Sequence, residues 1–211
     1  MIALRSARSR SVPFGHWHGV PAPGAIALPR RGFSRELKTD KSRDKFKNTF
    51  IQLKQSDLQK YKLKYILAKL TQYINEKALG SEAPSTELKN FMKSTLEIEH
   101  ILPEELTQEV VDSFDKPNEI KDYVYRLGNL ALLEKSINAS IQNKPFSIKK
   151  EAYKQSTFYL TKAISQKVQV GQNTAIDRAV RELTPFDNWT SCAIEKRQEL
   201  LTMLAMEVWD L

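Results

Sequence analysis

Four residues of this chain have the types and the spacing to do chemistry together: Glu99, His100, Asn129 and Asn138. The first two sit in the stretch "TLEIEHILPEEL" at residues 95–106. There an apolar–acid alternation (Leu96, Glu97, Ile98, Glu99) runs into His100, and Pro103 follows three residues on. Asn129 lies 29 residues beyond the histidine and Asn138 nine further. A neutral imidazole takes a proton from water near neutral pH. A hard divalent ion such as Mg²⁺ asks for oxygen ligands, which the Glu99 carboxylate and the Asn138 amide carbonyl provide. Such an ion would neutralise charge growing on a scissile phosphate and on its leaving oxygen. Asn129 suits another duty, hydrogen-bonding backbone across the intervening loop and so holding His100 in place. Taken alone, a histidine at a strand end is more often structural. The four together suit metal-assisted phosphodiester hydrolysis. One geometric condition applies: neighbouring side chains of a continuous strand point to opposite faces, so Glu99 and His100 share a site only if the backbone turns at His100. Pro103 favours such an early end.

The elements that must position these residues are legible from periodicity and breakers. A short strand at about 94–99 carries Glu99, and a polar stretch covers 104–118. A helix near 118–125 leads to Gly128, which permits a tight turn into a second strand at Leu130 to Leu133. Residues 134–142 read as a helix carrying Asn138, and 147–168 as mostly helical. Residues 169–188 read as a loop with a helix at 174–182. The closing helix presents Ala193, Ile194, Arg197, Leu200, Leu201, Leu204, Ala205, Val208 and Trp209 on one broad face, with Thr190 or Asn188 to cap it. Upstream, residues 41–55 and 57–78 read as scaffold helices. The pattern breaks at Gly80–Pro84, and Ser85 is placed to cap a short helix through Phe91. The fold class is α+β, mostly helical. The expected organisation is a disordered Arg-rich tail over 1–38, a helical annex over 39–92 and a functional domain over 93–211.

Composition narrows the class. Among 211 residues, 41% are hydrophobic and 27% charged, a globular balance without any apolar run long enough for a membrane helix. A single cysteine, Cys192, supplies neither an intramolecular disulfide nor a Cys-rich zinc site, which favours a reducing compartment such as the cytoplasm. The net charge of +8 is uneven. Six arginines and no acid fall in residues 1–35, leaving 27 basic against 25 acidic residues elsewhere. Nucleic-acid binding would therefore rest on a local patch. Arg126, Lys135 and Lys144 surround the motif and would hold DNA phosphates, although a solvated helix face explains them equally well. The tail has the composition of a transit peptide or of an untranslated leader read through. His16 and His18, flanking Trp17 within it, make a poor metal site.

"IEHILP", followed about thirty residues later by "LGNLALLEKSINASIQNKPFSIKK", resembles the core of HNH (His-Me finger) nucleases. More narrowly, it resembles the C-terminal domain of GmrSD-type modification-dependent restriction endonucleases. "KLKYILAKLTQYI", "EAYKQS" and "FDNWTSCAIEKRQELLTMLAMEVW" are similar to the helices flanking that core, so the resemblance covers residues 40–211. It implies a ββα-metal core embedded in helices. In that core His100 is the general base, Glu99 a ligand of Mg²⁺ or Mn²⁺, Asn129 the structural middle position, and Asn138 the third position completing the metal site. Asn143, Phe146 and Lys150 match a recurrent Asn-x-x-Phe-x-x-x-Lys pattern. The implied activity is DNA endonuclease action on double-stranded DNA, in restriction of modified or foreign DNA. The implied partner is a nucleotide-using ParB-like subunit or domain that residues 1–38 do not supply. The alternative is a non-catalytic DNA-binding or partner-binding remnant of a larger restriction protein.

Overall fold

A computed structural model describes residues 40–79, 87–168 and 183–211. The arginine-rich tail, the Ser85 cap and the helix expected at 174–182 lie outside the described residues. Helix α1 spans Asp40–Phe50 and α2 Lys60–Leu79, joined through a single 3-10 turn at Gln55–Asp57. The short helix α3 (Leu88–Phe91) precedes strand β1 (Leu96–His100). Two short helices, α4 (Gln108–Ser113) and α5 (Ile120–Val124), fill the long connection to strand β2 (Leu130–Glu134). Helices α6 (Lys135–Ile141), α7 (Phe146–Tyr153) and α8 (Tyr159–Lys162) follow, and α9 (Ser191–Val208) closes the chain. The class is α+β and mostly helical, as the periodicity implies. No helix among the described residues is long and apolar enough to cross a membrane.

The two strands pair antiparallel, with Leu96 opposite Glu134 and His100 opposite Leu130. Leu130 to Leu133 are all buried, so β2 is covered on both faces. Its alternation feeds two cores. Leu130 and Leu132 pack with Leu63, Ile66, Leu67, Leu70 and Ile74 of α2, with Leu160 of α8 and with Leu201, Leu204 and Ala205 of α9. Ala131 and Leu133 pack on the other side with Ile101, Tyr123, Tyr153, Ile164 and Ile194. The upstream helices thus share a core with β2 and α9, and the packing runs across the boundary expected at residue 92.

Two long helices expected from the pattern are interrupted, for the same physical reason. The helix of residues 41–55 stops at Phe50 because the carbonyls of Phe50 and Leu53 are taken by the Gln198 side chain (3.3 and 3.1 Å), and Leu53 also accepts from Leu127 N (3.0 Å). The helix of residues 147–168 breaks after Tyr153 because the Glu134 carboxylate captures the Ser156 hydroxyl and both the amide and hydroxyl of Thr157. Asn75 then accepts the amide of Tyr159 at 3.0 Å. Distant side chains satisfy the backbone groups that a continuous helix would have used. Where no such competitor intrudes, the local signal holds: α9 begins at Thr190, whose hydroxyl accepts from Ala193 N.

The entry to β2 is tightly packed against α9. Gly128 donates its amide to the Gln198 side chain, and Arg197 donates to the carbonyls of Gly128 and Leu130, each at 2.7 Å. A Cβ at Gly128 would lie 2.2 Å from the Ile194 carbonyl oxygen, a backbone atom unable to give way. Gly128→Ala is therefore expected to destabilise the protein by about 2 kcal/mol, the middle of the range for overpacking a well-filled interior. Urea unfolding reads this directly, and an unchanged midpoint would show that α9 does not press on the turn.

Candidate active site

The end of β1 is shaped by Asn129, which is fully buried. Its Oδ1 accepts from Leu102 N at 2.7 Å and from Trp189 Nε1 at 2.8 Å. Its Nδ2 donates to the carbonyls of Leu102 (2.9 Å) and Val124 (2.8 Å). Two acceptor sites and two donors are all that a side-chain amide offers, and all four are used. Ile101 N also donates to the Asn129 carbonyl at 3.0 Å, and the chain bends at Ile101–Leu102, directly after His100.

Glu97 and Glu99, two residues apart on β1, face α6 and α7. His100 ends the strand beside them. Its Nε2 lies 2.7 Å from Gln55 Oε1 and 3.5 Å from Glu104 Oε1, and its ring meets Tyr125 edge-on. Burial holds the imidazole below its ordinary pKa. The Glu104 carboxylate opposes that shift, and the Lys149 and Lys60 charges reinforce it. The ring is thus neutral around pH 7, the form that accepts a proton.

Glu99 is buried with a partner. Lys149 Nζ, on α7, lies 2.7 Å from Glu99 Oε1 and 2.6 Å from the His100 carbonyl oxygen. The Tyr153 hydroxyl donates to the same Oε1 at 2.7 Å. Burial pushes the Glu99 carboxyl up and the Lys149 ammonium down, and the contact between them acts against both shifts. Burial, and then the neighbouring Glu99 charge, put the Tyr153 phenol well above its usual range. Asn138, on α6, donates Nδ2 to Glu97 Oε2 at 2.9 Å. Glu97, rather than Glu99, is thus the carboxylate in contact with Asn138.

Glu97, Glu99, His100 and Asn138 nevertheless line one open cleft of about 460 Å³, together with Glu104, Glu105, Asn143 and Lys149. No group of three or more His, Cys, Asp or Glu among the described residues is already arranged around one point as metal ligands. The donors do fit a hard cation chemically. The hydrogen bond from Asn138 Nδ2 to Glu97 leaves the amide oxygen as its acceptor, and both side-chain hydrogen bonds to Glu99 fall on Oε1. Carboxylate and amide oxygens are what Mg²⁺ and Mn²⁺ take.

The basic residues expected to hold phosphate are placed differently from one another. Arg126 lies over the Tyr123 ring, donates twice to Asp122 (3.1 and 2.9 Å) and sits 3.6 Å from Glu195, away from the cleft. Lys135 is exposed, 3.8 Å from Glu97 at the cleft's rim. Lys144 closes the end of α6 by donating to the Ser140 carbonyl. Of the Asn-x-x-Phe-x-x-x-Lys residues, Asn143 donates to Glu105, Phe146 packs on Trp189, and Lys150 lies 3.6 Å from Asp187. Sequence reasoning did not single out Lys149, Tyr153, Glu97 or Gln55. The spacing of four between Lys149 and Tyr153 marks one helix face, and the alternation of β1 puts Glu97 on the face of Glu99. Nothing in the sequence marks Gln55.

What the fold and cleft define is an α+β chain in which strand, long connection, strand and helix gather a neutral histidine, carboxylates and asparagines around one opening. The family model of GmrSD restriction endonucleases, C-terminal domain, matches residues 40–204, and the chain belongs to that family. No curated protein sequence matches the chain significantly.

The Glu99–Lys149 pair supplies a test of the cleft's electrostatics. Lys149→Met leaves a buried carboxylate without its counter-charge, which costs on the order of 3–5 kcal/mol. Adding Glu99→Gln to that variant removes the orphaned charge and is expected to recover more than half of the loss. Denaturant unfolding of the single and double variants decides it; equal stability of the two would mean that the pair is not charged in the folded protein.

Proposed function

We propose that this chain is a divalent-metal-dependent DNA endonuclease acting in restriction of modified or foreign DNA, and that β1, β2 and α6 form an HNH-type ββα-metal core. The observation that carries the reading is the position of His100: at the end of β1, neutral, beside a cleft of oxygen donors, in a chain of the restriction-endonuclease family. His100 accepts the proton of the attacking water, whose oxygen forms the new bond to phosphorus while the 3′ oxygen leaves, so that the product carries a 5′-phosphate. Asn129 keeps the backbone after His100 in the bend that presents the ring. Asn138 and Glu97, with Glu99 through Oε2, would hold Mg²⁺ or Mn²⁺. A cation there supplies charge neutralisation at the phosphate and at the leaving oxygen. Lys135 at the rim is the best placed of the expected phosphate contacts, and Arg126 serves the packing of α5 instead. A separate nucleotide-using ParB-like subunit or domain would govern target choice.

One observation favours a second reading, a non-catalytic DNA- or partner-binding remnant: Glu99 is already neutralised by Lys149 without any metal. Plasmid cleavage in Mg²⁺ separates the two. The wild-type protein is expected to nick or cut, His100→Ala to lose about 10²- to 10⁴-fold in rate, the usual contribution of a general base, and Asn138→Ala to need more Mg²⁺. Identical nicking by wild type and His100→Ala would mean contamination and sink the assignment. Absence of cleavage on plain, hydroxymethylated and glucosylated DNA, with and without nucleotide, would establish the remnant.

A further inference from the structure

The shorter of the two polar contacts made by His100 Nε2 among the described residues is to a residue outside the strand–helix core. Gln55, in the turn between α1 and α2, places Oε1 2.7 Å from His100 Nε2. The turn that carries it is moored at several points. Gln55 N donates to the Tyr125 carbonyl at 2.8 Å, Lys54 pairs with Asp122 and bridges to Arg126, and Asp57 accepts from Lys54 N at 2.8 Å. Leu53, two residues earlier, is tied through its carbonyl to Leu127 and Gln198. Gln55 is thus fastened to the same segment, 122–129, that supplies Asn129. A side chain presented from so constrained a turn can fix the orientation of what it touches.

The groups facing Nε2 point to one tautomer. The second group near that nitrogen is the Glu104 carboxylate at 3.5 Å, and an ionised carboxylate only accepts. With a carboxylate and an amide oxygen both directed at Nε2, a neutral ring must carry its hydrogen there, which leaves the lone pair on Nδ1. The partner of one imidazole nitrogen sets the role of the other.

We infer that Gln55 is a positioning residue for His100: it accepts the Nε2–H, holds the neutral imidazole in one tautomer, and so reserves Nδ1 for the proton taken from water. The last clause rests on the nuclease reading; the tautomer does not. The turn before α2 is then part of the functional site rather than scaffold.

Long-range ¹H–¹⁵N NMR of the full chain with ¹⁵N-labelled histidine rings tests this at a pH where the ring is neutral. Only three histidines are present, and His16→Gln with His18→Gln leaves His100 alone. The expected wild-type pattern is a protonated Nε2 and an unprotonated Nδ1. Gln55→Leu, which removes the acceptor, should give averaged shifts of two exchanging tautomers. Gln55→Glu, which keeps an acceptor at the same reach, should restore the wild-type pattern. In cleavage assays Gln55→Leu is expected to lower kcat by about 10- to 100-fold with little change in KM, the scale of a lost second partner. A wild-type ring protonated on Nδ1, or ring nitrogens unmoved by Gln55→Leu, overturns the inference. A correct tautomer in a protein that cleaves no DNA would leave the Gln55 contact standing and count against the nuclease reading alone.

Discussion

The bend after His100 depends on one buried amide. Asn129 spends all four of its hydrogen-bonding positions on the backbone of Leu102 and Val124, both earlier in the chain, and on the Trp189 indole. Among the described residues β1 has only β2 beside it, so a strand that continued past His100 would leave Leu102 N–H and C=O without a strand to pair with. Asn129 supplies that pairing instead, from a residue directly before β2 and opposite the bend. An unpaired buried amide or carbonyl costs on the order of 1–3 kcal/mol, so a residue that satisfies both at once fixes the chain's path. His100 remains the last residue of the strand and the bend follows at Ile101–Leu102, so Glu99 meets Lys149 and Tyr153 of α7 while the His100 ring meets Gln55, and both residues line the same opening.

A second constraint is electrostatic. The cleft is lined by Glu97, Glu99, Glu104 and Glu105, and an assembly of carboxylates around an opening repels itself. The fold relieves this in two ways. Asn138 and Asn143 each donate to one of the carboxylates, Glu97 and Glu105. Lys149 pairs with Glu99 and also takes the His100 carbonyl, so a single side chain links the acid to the histidine's own backbone. That link ties α7 to the end of β1.

The contrast between what periodicity reveals and what it hides follows from the range of the interactions. The strands, α6 and α9 are readable because alternation, a helical stripe and a Thr190 cap are local signals. The interruptions after Phe50 and Tyr153 are not, because Gln198, Glu134 and Asn75 act on them from distant parts of the chain. The site shows the same division. Glu99, His100, Asn129 and Asn138 stand out by type and spacing, and all but the structural Asn129 line one cleft. Which lysine faces inward was a question of helix phase. Lys149 and Tyr153, four residues apart on α7, share the face that meets Glu99, whereas Lys150, one residue on from Lys149, pairs with Asp187. One position, about 100° of rotation, separates a buried counter-charge from a surface ion pair.

The dependence of the site on distant segments converges on two adjacent residues of α9. Arg197 takes the carbonyls of Gly128 and Leu130, on either side of Asn129. Gln198 takes the amide of Gly128 and the carbonyls of Phe50 and Leu53, just before the turn that carries Gln55. Among the described residues no carboxylate pairs with the buried Arg197 and its Nη2 has no hydrogen-bond partner; burial lowers its pKa to about 10, which still leaves it charged at neutral pH. A buried cation is expensive, and this one is set against two carbonyls, drawing the negative ends of two backbone dipoles toward α9 at the point where β2 begins. Through these two side chains the C-terminal helix sets the distance between the upstream turn and the strand pair, and therefore between Gln55 and His100. The helices on either side of the strand pair are consequently not a scaffold around an independent site, because moving either one would change what touches the imidazole.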